Sequence, residues 1–511
     1  MPRIDDYHTV WSPIPDTSQE LAMDSRCHHT LYCGTRGPGK SDCQLMRFRR
    51  HVGKGYGSFW RGIIFDKEYK NLDDLVIKSQ RWFNAFADGA KWLSSAKDYK
   101  WVWPTGEELL FRAVTKQEDY WGYHGHEFPF IGWNELCKYP TANLYSMMMS
   151  VNRTSFTPDK DTPAEIRKTG KLLPPIPLEV FATTNPWGVG HGWVKRMFID
   201  VAPYGHVVRR TVEVFDPVTQ QKVPVTKTQV AIFGSYKENI YLPLEYIVEL
   251  ENQSDPNLRL AWLYGDWDIV AGGALSDLWR KDVHVLPRFK IPSGWHIDRA
   301  FDWGSTQPFY VGWFAEANGE TATLSDGTTF TPQPGSLILF DEWYGTTEDK
   351  LTGASLNTGL KLSSIDIAKG IHSREDLLCN QHWIGNERPA PGPADNQIRE
   401  VREKDVDTLE KKMADHGVHW LESDKSPGSR KIGLQLIRER LEASVRREGP
   451  GLYFMQNCRH AISIIPTLPR DEDKLDDVDT EAEDHPYDVL RYRVLHGNNR
   501  LATKIPLVFP H

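Results

Sequence analysis

Residues Gly34 to Ser41 read GTRGPGKS, an uninterrupted G-x-x-x-x-G-K-S phosphate-binding loop, and no other stretch constrains the fold as tightly. Such a loop works only where a strand ends and a helix begins. Its glycines let backbone N–H groups close around phosphate oxygens, its lysine reaches the β- and γ-phosphates, and its hydroxyl reaches Mg²⁺. The flanks agree. Leu31-Tyr32 ends a short apolar run, and SDCQLMRFRRH after the loop predicts a helix whose N-terminal N–H groups face the anion. Gly34, Thr35, Arg36, Gly37, Pro38, Gly39, Lys40 and Ser41 are therefore the expected contacts to ATP, with Ser41 also expected to ligate Mg²⁺.

A loop of this kind belongs to a parallel sheet, and the following sequence alternates accordingly. The β-rich runs RGIIF, LLFRAV, FPFIGW and LEVFATT, separated by longer helical patterns, predict a parallel α/β sheet from Cys33 to about Asp268. Residues 159–177, rich in Pro, Lys and Thr, read as an exposed loop. Glycines and prolines interrupt the patterning again at residues 271–294. A chain of 511 residues exceeds what one core organises. We therefore expect a first domain at 1–270, a linker at 271–294 and a second domain at 295–511. In the second, WHIDRAFDWG, FYVGWFAE and SLILFDEWYG predict three successive strands, with turn-rich NGETATLSDGTTFTPQPG between the last two. Helical patterns follow, so the domain reads as α+β or mixed.

Composition removes some classes of function. Hydrophobic residues are 40% and charged residues 25%, ordinary for a soluble globular chain. No apolar run approaches the ~20 residues that span a bilayer. MPRIDDYHTVW lacks the apolar core of a secretory signal, and six scattered cysteines make no disulfide framework, so a reducing cytoplasm is expected. Cys27, His28, His29 and Cys33 lack a second ligand pair at zinc spacing. The net charge of −8 excludes an overall basic coat but not a local stripe. Arg430, Lys431, Arg438, Arg440, Arg446 and Arg447 form such a cluster, offset by the acids between Asp471 and Asp484. A polyanion-facing surface and a merely solvated helix face both fit this pattern.

ATP hydrolysis needs an acid at the end of a neighbouring strand. FPFIGWNEL supplies Asn134-Glu135, with Glu135 placed to orient or activate water and Asn134 standing where an aspartate usually holds Mg²⁺. An amide oxygen can still accept from a metal-bound water, but it brings no charge, so weaker metal affinity is expected. In ATTNPWG, Thr184 and Asn185 end another strand and are expected to sense the γ-phosphate. Arg36 is expected over the transferring phosphoryl group, and Arg153 is a candidate for reaching a neighbouring subunit's nucleotide.

The later sequence offers a second chemistry. Asp302 ends a strand, Asp395 sits in the Pro/Gly-rich PGPADNQI, and Asp484 and Asp488 are spaced i,i+4 to share a helix face. Phosphodiester cleavage uses carboxylates to hold two divalent ions ~3.5–4 Å apart. These four acids are the candidate Mg²⁺ or Mn²⁺ ligands, with Glu342 in reserve.

Taken together the chain resembles the large terminase subunit of tailed bacteriophages, over nearly its whole length. PIPDTSQ, with Gln19, is similar to that family's adenine-contacting element; GTRGPGKS carries its loop arginine; GWNEL sits where it has an acidic strand; ATTNPWG resembles its coupling motif. LPLEYIVELENQSDPNLRLAWLYGDWDIVAGGALSDLW is the most specific piece, its GDWD closing the ATPase domain, and DWG, GPAD and DHPYDVLRY match metal-binding corners of the nuclease domain. Asn134 departs from the family pattern. The resemblance implies an N-terminal P-loop (ASCE/RecA-like) ATPase domain followed by an RNase H-like nuclease domain. It implies a motor that moves double-stranded DNA into a procapsid through the portal protein and cuts concatemers. It further implies a small terminase subunit, a pentameric ring, and work in the host cytoplasm docked on the portal. Two other readings remain open: an ATP-driven translocase or helicase whose second domain binds DNA without cutting, and a nucleotide-switched scaffold.

Overall fold

Strand β1, His29–Gly34, is buried at every position, as a central strand covered on both faces must be. Around it a computed structural model shows a nine-stranded sheet. The structure describes residues 10–503 except 96, 255, 268–272, 306, 349–354, 402–406, 472–476 and 481. Asp268 of GDWD, residues 1–9 and part of the Asp471–Asp484 acidic stretch thus lie outside the described residues. Two compact units emerge: Met1–Ala271 with Glu348–Ala354, and Gly272–Thr347 with Ser355–His511.

In the first unit the remaining strands are β2 (Arg61–Asp66), β3 (Lys91–Leu93), β4 (Lys100–Val102), β5 (Glu108–Ala113), β6 (Phe130–Trp133), β7 (Glu179–Thr183), β8 (Val208–Asp216) and β9 (Gln221–Gly234). Their order is β3-β4-β5-β2-β6-β7-β1-β9-β8. The run β5-β2-β6-β7-β1-β9 is parallel, and antiparallel strands close both edges. This is the ASCE/RecA-like P-loop order, in which β7 separates the loop strand from the acid strand β6. Parallel strands deliver their C-terminal ends to one edge of the sheet, where ligands of open α/β folds bind. Helices α1 (Ser18–Asp24) and α2 (Lys40–Arg49) flank the loop, and α3 (Tyr69–Ala85) buries Leu72, Leu75, Val76, Ser79 and Phe83 at helical spacing. Gln44 of α2 donates to the carbonyls of Trp133 (3.0 Å) and Phe181 (3.1 Å), and Arg47 pairs with Glu179 at 2.7 Å, so this helix is fixed across β6 and β7. The stretch 159–177, expected as a loop, contains two single helical turns, Pro158–Asp161 and Ala164–Arg167.

The second unit's main sheet uses β10 (Val285–Leu286), β11 (His296–Asp302), β12 (Tyr310–Glu316), β15 (Leu337–Tyr344), β16 (Pro393–Ala394), β17 (Leu421–Glu422) and β18 (Leu452–Met455). A small hairpin of β13 (Ala322–Thr323) and β14 (Thr329–Phe330) occupies the turn-rich insert. The sheet order is β10-β18-β15-β12-β11-β16-β17. Strands β15, β12 and β11 are antiparallel and β16 and β17 continue parallel to β11, the RNase H-like arrangement. Within residues 271–294, expected as a linker, several positions pack inside this unit. Ala274 and Leu275 are fully buried and β10 pairs with β18, because the apolar positions of this Gly/Pro-punctuated stretch find a core.

Successive residues of a strand face opposite ways, and β11 uses this to hold a helix on each side. Asp298 pairs with Arg493 (2.7 Å) on α7 (His485–Thr503), while Arg299 pairs with Glu375 (2.9 Å) on α4 (Ser364–Asn380). Both pairs are buried, so removing either partner would strand a charge. Aliphatic and aromatic residues fill the two faces. Phe301, Trp313, Ile338 and Ile371 belong to one cluster; Ala300, Phe314, Leu339 and Leu490 belong to the other.

Candidate active sites

The first site is built from backbone. Gly34 turns at φ +112°, and a Cβ there would meet the Gly234 carbonyl oxygen at 2.2 Å, so strand β1 leaves the sheet where only glycine fits. The loop is braced from both sides: Thr35 N–H donates to Gly234 O (2.9 Å), the Tyr236 N–H to Thr35 Oγ1 (2.6 Å), and Asn239 Nδ2 to Gly37 O (2.7 Å). Gln19, on α1, donates through Nε2 to Pro38 O (2.8 Å) and accepts from Ile14 N (3.1 Å), which holds the amide against the loop.

Lys40 opens α2 and is buried. Its Nζ donates to Thr35 O (2.5 Å) and to Asn185 Oδ1 (2.8 Å) at the end of β7. Burial pulls its pKa down to about 8 against the opposing pull of the Glu135 charge. Thr184 accepts from Cys137 N (3.2 Å) and donates to Asn185 O (3.0 Å), linking the end of β7 to the turn after Glu135. Glu135 itself has φ +51° and ψ 63°, a left-handed conformation unusual for a residue with a Cβ. Strain of this kind is held in place by surrounding structure and concentrates at functional positions. Lys40, Asn185 and Glu135 therefore share one electrostatic neighbourhood at the sheet's C-terminal edge, and Ser41 lies in the first turn of α2.

Three of the expected residues make contacts that the sequence did not reveal. The Arg36 guanidinium stacks over Trp262, 3.5 Å from the ring centroid, and the Arg36 backbone N–H donates to Trp262 O at 2.8 Å. Arg153 is exposed and donates to the carbonyls of Gly125 (2.7 Å) and His126 (3.2 Å). Asn134 gives its Nδ2 to Asp66 Oδ2 at 2.7 Å, a partner that sequence reasoning missed. The signal for Asp66 was present: RGIIFD ends an apolar strand on an acid, much as FPFIGWNE does.

The second site is built from side chains. Asp302 ends β11, and Asp395 follows β16, the parallel neighbour of β11, with its N–H donating to Phe301 O (2.9 Å). Asp484 immediately precedes α7 and accepts the Asp488 N–H (2.9 Å) through its carbonyl, so the i,i+4 spacing does span one helical turn. Each acid faces a cation. His485 Nδ1 lies 2.9 Å from Asp302, Lys425 pairs with Asp395, and Arg430 reaches both Asp484 (3.7 Å) and Asp488 (3.5 Å). Arg491 also contacts Asp488 at 3.0 Å, and Tyr492 OH donates to Asp302 at 3.4 Å.

Burial, reinforced by the Asp488 charge, pushes the Asp484 carboxyl up to about 8. Burial likewise pushes Asp302 up to about 6, against the His485 hydrogen bond and with the charges of Asp488 and Asp395 adding to the rise. Burial opposes charge on His485 too, but the bond to Asp302 and neighbouring acids raise it to about 9. Oxygen donors crowded this way suit a hard divalent cation. Among the described residues, however, no group of three or more His, Cys, Asp or Glu side chains is arranged to hold a metal ion. The donor chemistry fits Mg²⁺ or Mn²⁺, while the resident partners are Lys425, Arg430 and His485. These cations were missed as site residues because pairing across distant segments leaves no local spacing.

Glu342 is not brought to this set. It lies on β15, two strands from β11, and accepts from Tyr310 OH (2.6 Å) and from the N–H groups of His460 (2.7 Å) and Ala461 (3.0 Å) at the head of helix α6 (Arg459–Ile464). The basic cluster is mostly consumed internally. On α5 (Ser429–Arg446), Arg430 pairs with Asp477 (2.9 Å), Arg438 with Asp277 (2.5 Å), Arg446 with Glu442, and half-buried Arg440 donates to Gly335 O (2.9 Å).

No protein-family model matches the sequence, and no curated protein does. The fold is similar to solved large terminases of several phages. The crystal structure of the HK97 bacteriophage large terminase aligns at 9% identity over 94% of this chain and 93% of that one, TM-score 0.43. The large terminase of thermophilic bacteriophage D6E in complex with ADP aligns at 12% identity over 93% of this chain and 98% of that one, TM-score 0.37. The P22 large terminase nuclease domain aligns at 14% identity over 42% of this chain and 87% of that one, TM-score 0.28.

Proposed function

We propose that this chain is an ATP-driven motor that moves double-stranded DNA and carries a metal-dependent endonuclease, acting as the large subunit of a viral packaging terminase. The observation that supports this best is the paired convergence: Lys40, Asn185 and Glu135 at one sheet edge, and Asp302, Asp395, Asp484 and Asp488 around another strand end. In the first unit, the loop N–H groups would bind the phosphates and Lys40 would exchange Thr35 O and Asn185 for phosphate oxygens. Asn185, freed in that exchange, would register the γ-phosphate. Glu135 would orient the attacking water and accept its proton. Mg²⁺ bound near Ser41 would neutralise charge on the β- and γ-phosphates.

In the second unit Asp302, Asp395, Asp484 and Asp488 would hold Mg²⁺ or Mn²⁺, which supplies an activated water and stabilises the leaving oxygen. The same chain motifs that resemble the terminase family extend the proposal to its partners: a portal protein, a small terminase subunit, a procapsid and a homo-oligomeric, pentameric ring. Work in the host cytoplasm follows from that reading, and no described helix is long and apolar enough to cross a membrane.

Supercoiled plasmid incubated with the chain and Mg²⁺ or Mn²⁺ tests the nuclease, with nicking and linearisation expected. Cutting that survives in Asp302→Ala removes this assignment. A second reading, a DNA translocase with a non-cleaving second domain, draws on the Lys425, Arg430 and His485 contacts that already neutralise the acids. It would be favoured by DNA-stimulated ATP hydrolysis without any cutting.

A further inference from the structure

We propose that Asp66 is a positioning residue of the nucleotide site, returning to it the negative charge that Asn134 lacks. The inference rests on the ATP–Mg²⁺ reading of that site. Asp66 is the last residue of β2, beside β6, and register pairs Phe65 with Trp133, so Asp66 and Asn134, the residue just past β6, lie side by side at the same end of the sheet. The Asn134 N–H donates to Phe65 O at 2.8 Å, fixing the backbones at this step. Asp66 is fully buried, with both oxygens 3.1 Å from Lys138 Nζ, and it also accepts from Lys67 N (2.6 Å) and Asn71 Nδ2 (3.3 Å).

An ionised carboxylate only accepts hydrogen bonds, so the 2.7 Å contact fixes which end of the Asn134 amide faces Asp66. Nδ2 must point to Asp66, and Oδ1 is turned the other way, where Thr183 Oγ1 on β7 donates to it at 3.4 Å. The amide thus presents an oxygen toward the neighbouring strand, polarised by a charge one hydrogen bond behind it. An aspartate at 134 would instead place two carboxylates in contact beside Lys138. In this chain the acid has moved one strand over, and the asparagine relays it.

Affinity of the full chain for a fluorescent ATP analogue, measured with and without Mg²⁺, tests this. The wild type is expected to bind more tightly with Mg²⁺. Asp66→Asn should lose about tenfold of that Mg²⁺-dependent gain, in the range seen when outer partners of metal ligands are removed. Asn134→Asp should lose it too, and the exchange variant D66N/N134D should recover most of it. A D66N protein with wild-type Mg²⁺ dependence, or an exchange variant no better than D66N, overturns the proposal. Should D66N fail to fold by circular dichroism, D66N/N134D is compared with wild type directly, and loss of its Mg²⁺ dependence overturns the proposal. A wild type whose analogue binding is unaffected by Lys40→Ala would sink the nucleotide site itself, a different result from either.

Discussion

In the first unit the groups that would meet phosphate are backbone N–H groups at the head of one helix, whereas in the second the candidate ligands are four side chains drawn from three separate segments. Backbone dipoles cannot titrate or swing away, so the loop holds its shape without a ligand and needs only Lys40 kept inward by Thr35 and Asn185. Clustered carboxylates repel one another, and the chain answers with Lys425, Arg430 and His485. One site is ready in advance; the other is neutralised in advance. A ligand entering the first would replace the Lys40 contacts to Thr35 O and Asn185, while a cation entering the second would compete with resident charges.

The sharpest way to break this comparison is to disable each site separately. Glu135→Gln should lower ATP turnover by ~10²–10⁴-fold, the usual weight of a positioned general base, while nucleotide binding persists. Unchanged turnover would mean another residue handles the water. Asp302→Ala should lower plasmid cleavage by about 10²–10³-fold and leave ATP hydrolysis alone, since removal of one charged group at a reacting centre has that scale. Parallel loss of both activities in either variant would show that the two sites do not act independently.

Stability sharpens the contrast further. Asp484 and Asp302 are raised above their unfolded pKa values, and so is His485, so the native state binds more protons than the unfolded one. Their contribution is therefore full at low pH and is lost as pH rises through about 6, 8 and 9 in turn. Thermal melts followed from about pH 5 to about pH 9 should show the second unit weakening, and added Mn²⁺ should restore more at the alkaline end. Asp484→Asn should raise stability at neutral pH by roughly 1–3 kcal/mol, because folding must protonate this carboxyl there and an asparagine carries no such cost. A melt that falls in this variant would mean the ionised Asp484 is well paired by Arg430. At the small end, Arg446→Ala removes an exposed pair with Glu442 and should change stability by less than about 0.5 kcal/mol.

Much of the first unit was legible because its signals are local. The loop, its strand and its helix occupy adjacent residues, and each β-rich run from RGIIF to LEVFATT became a strand of the parallel sheet. The second unit's three strands were equally plain from their apolar runs. What stayed hidden depends on contacts between distant segments. Trp262 under Arg36, Asp66 behind Asn134 and Arg430 between Asp484 and Asp488 each join residues at least 50 positions apart, apart in sequence by 226, 68 and 54–58. In the stretch 271–294 Gly and Pro mark breaks in regular structure, yet Ala274 and Leu275 there are buried in a core, which the breaks alone do not reveal.

The stacking of Arg36 on Trp262 has a mechanical consequence. Trp262 lies nine residues before Ala271, where the first unit's main stretch ends. The phosphate loop is thus clipped, by a guanidinium on an indole and a peptide hydrogen bond, to the last stretch of that unit. Any event that draws Arg36 toward a phosphate must release this clip or drag Trp262 with it.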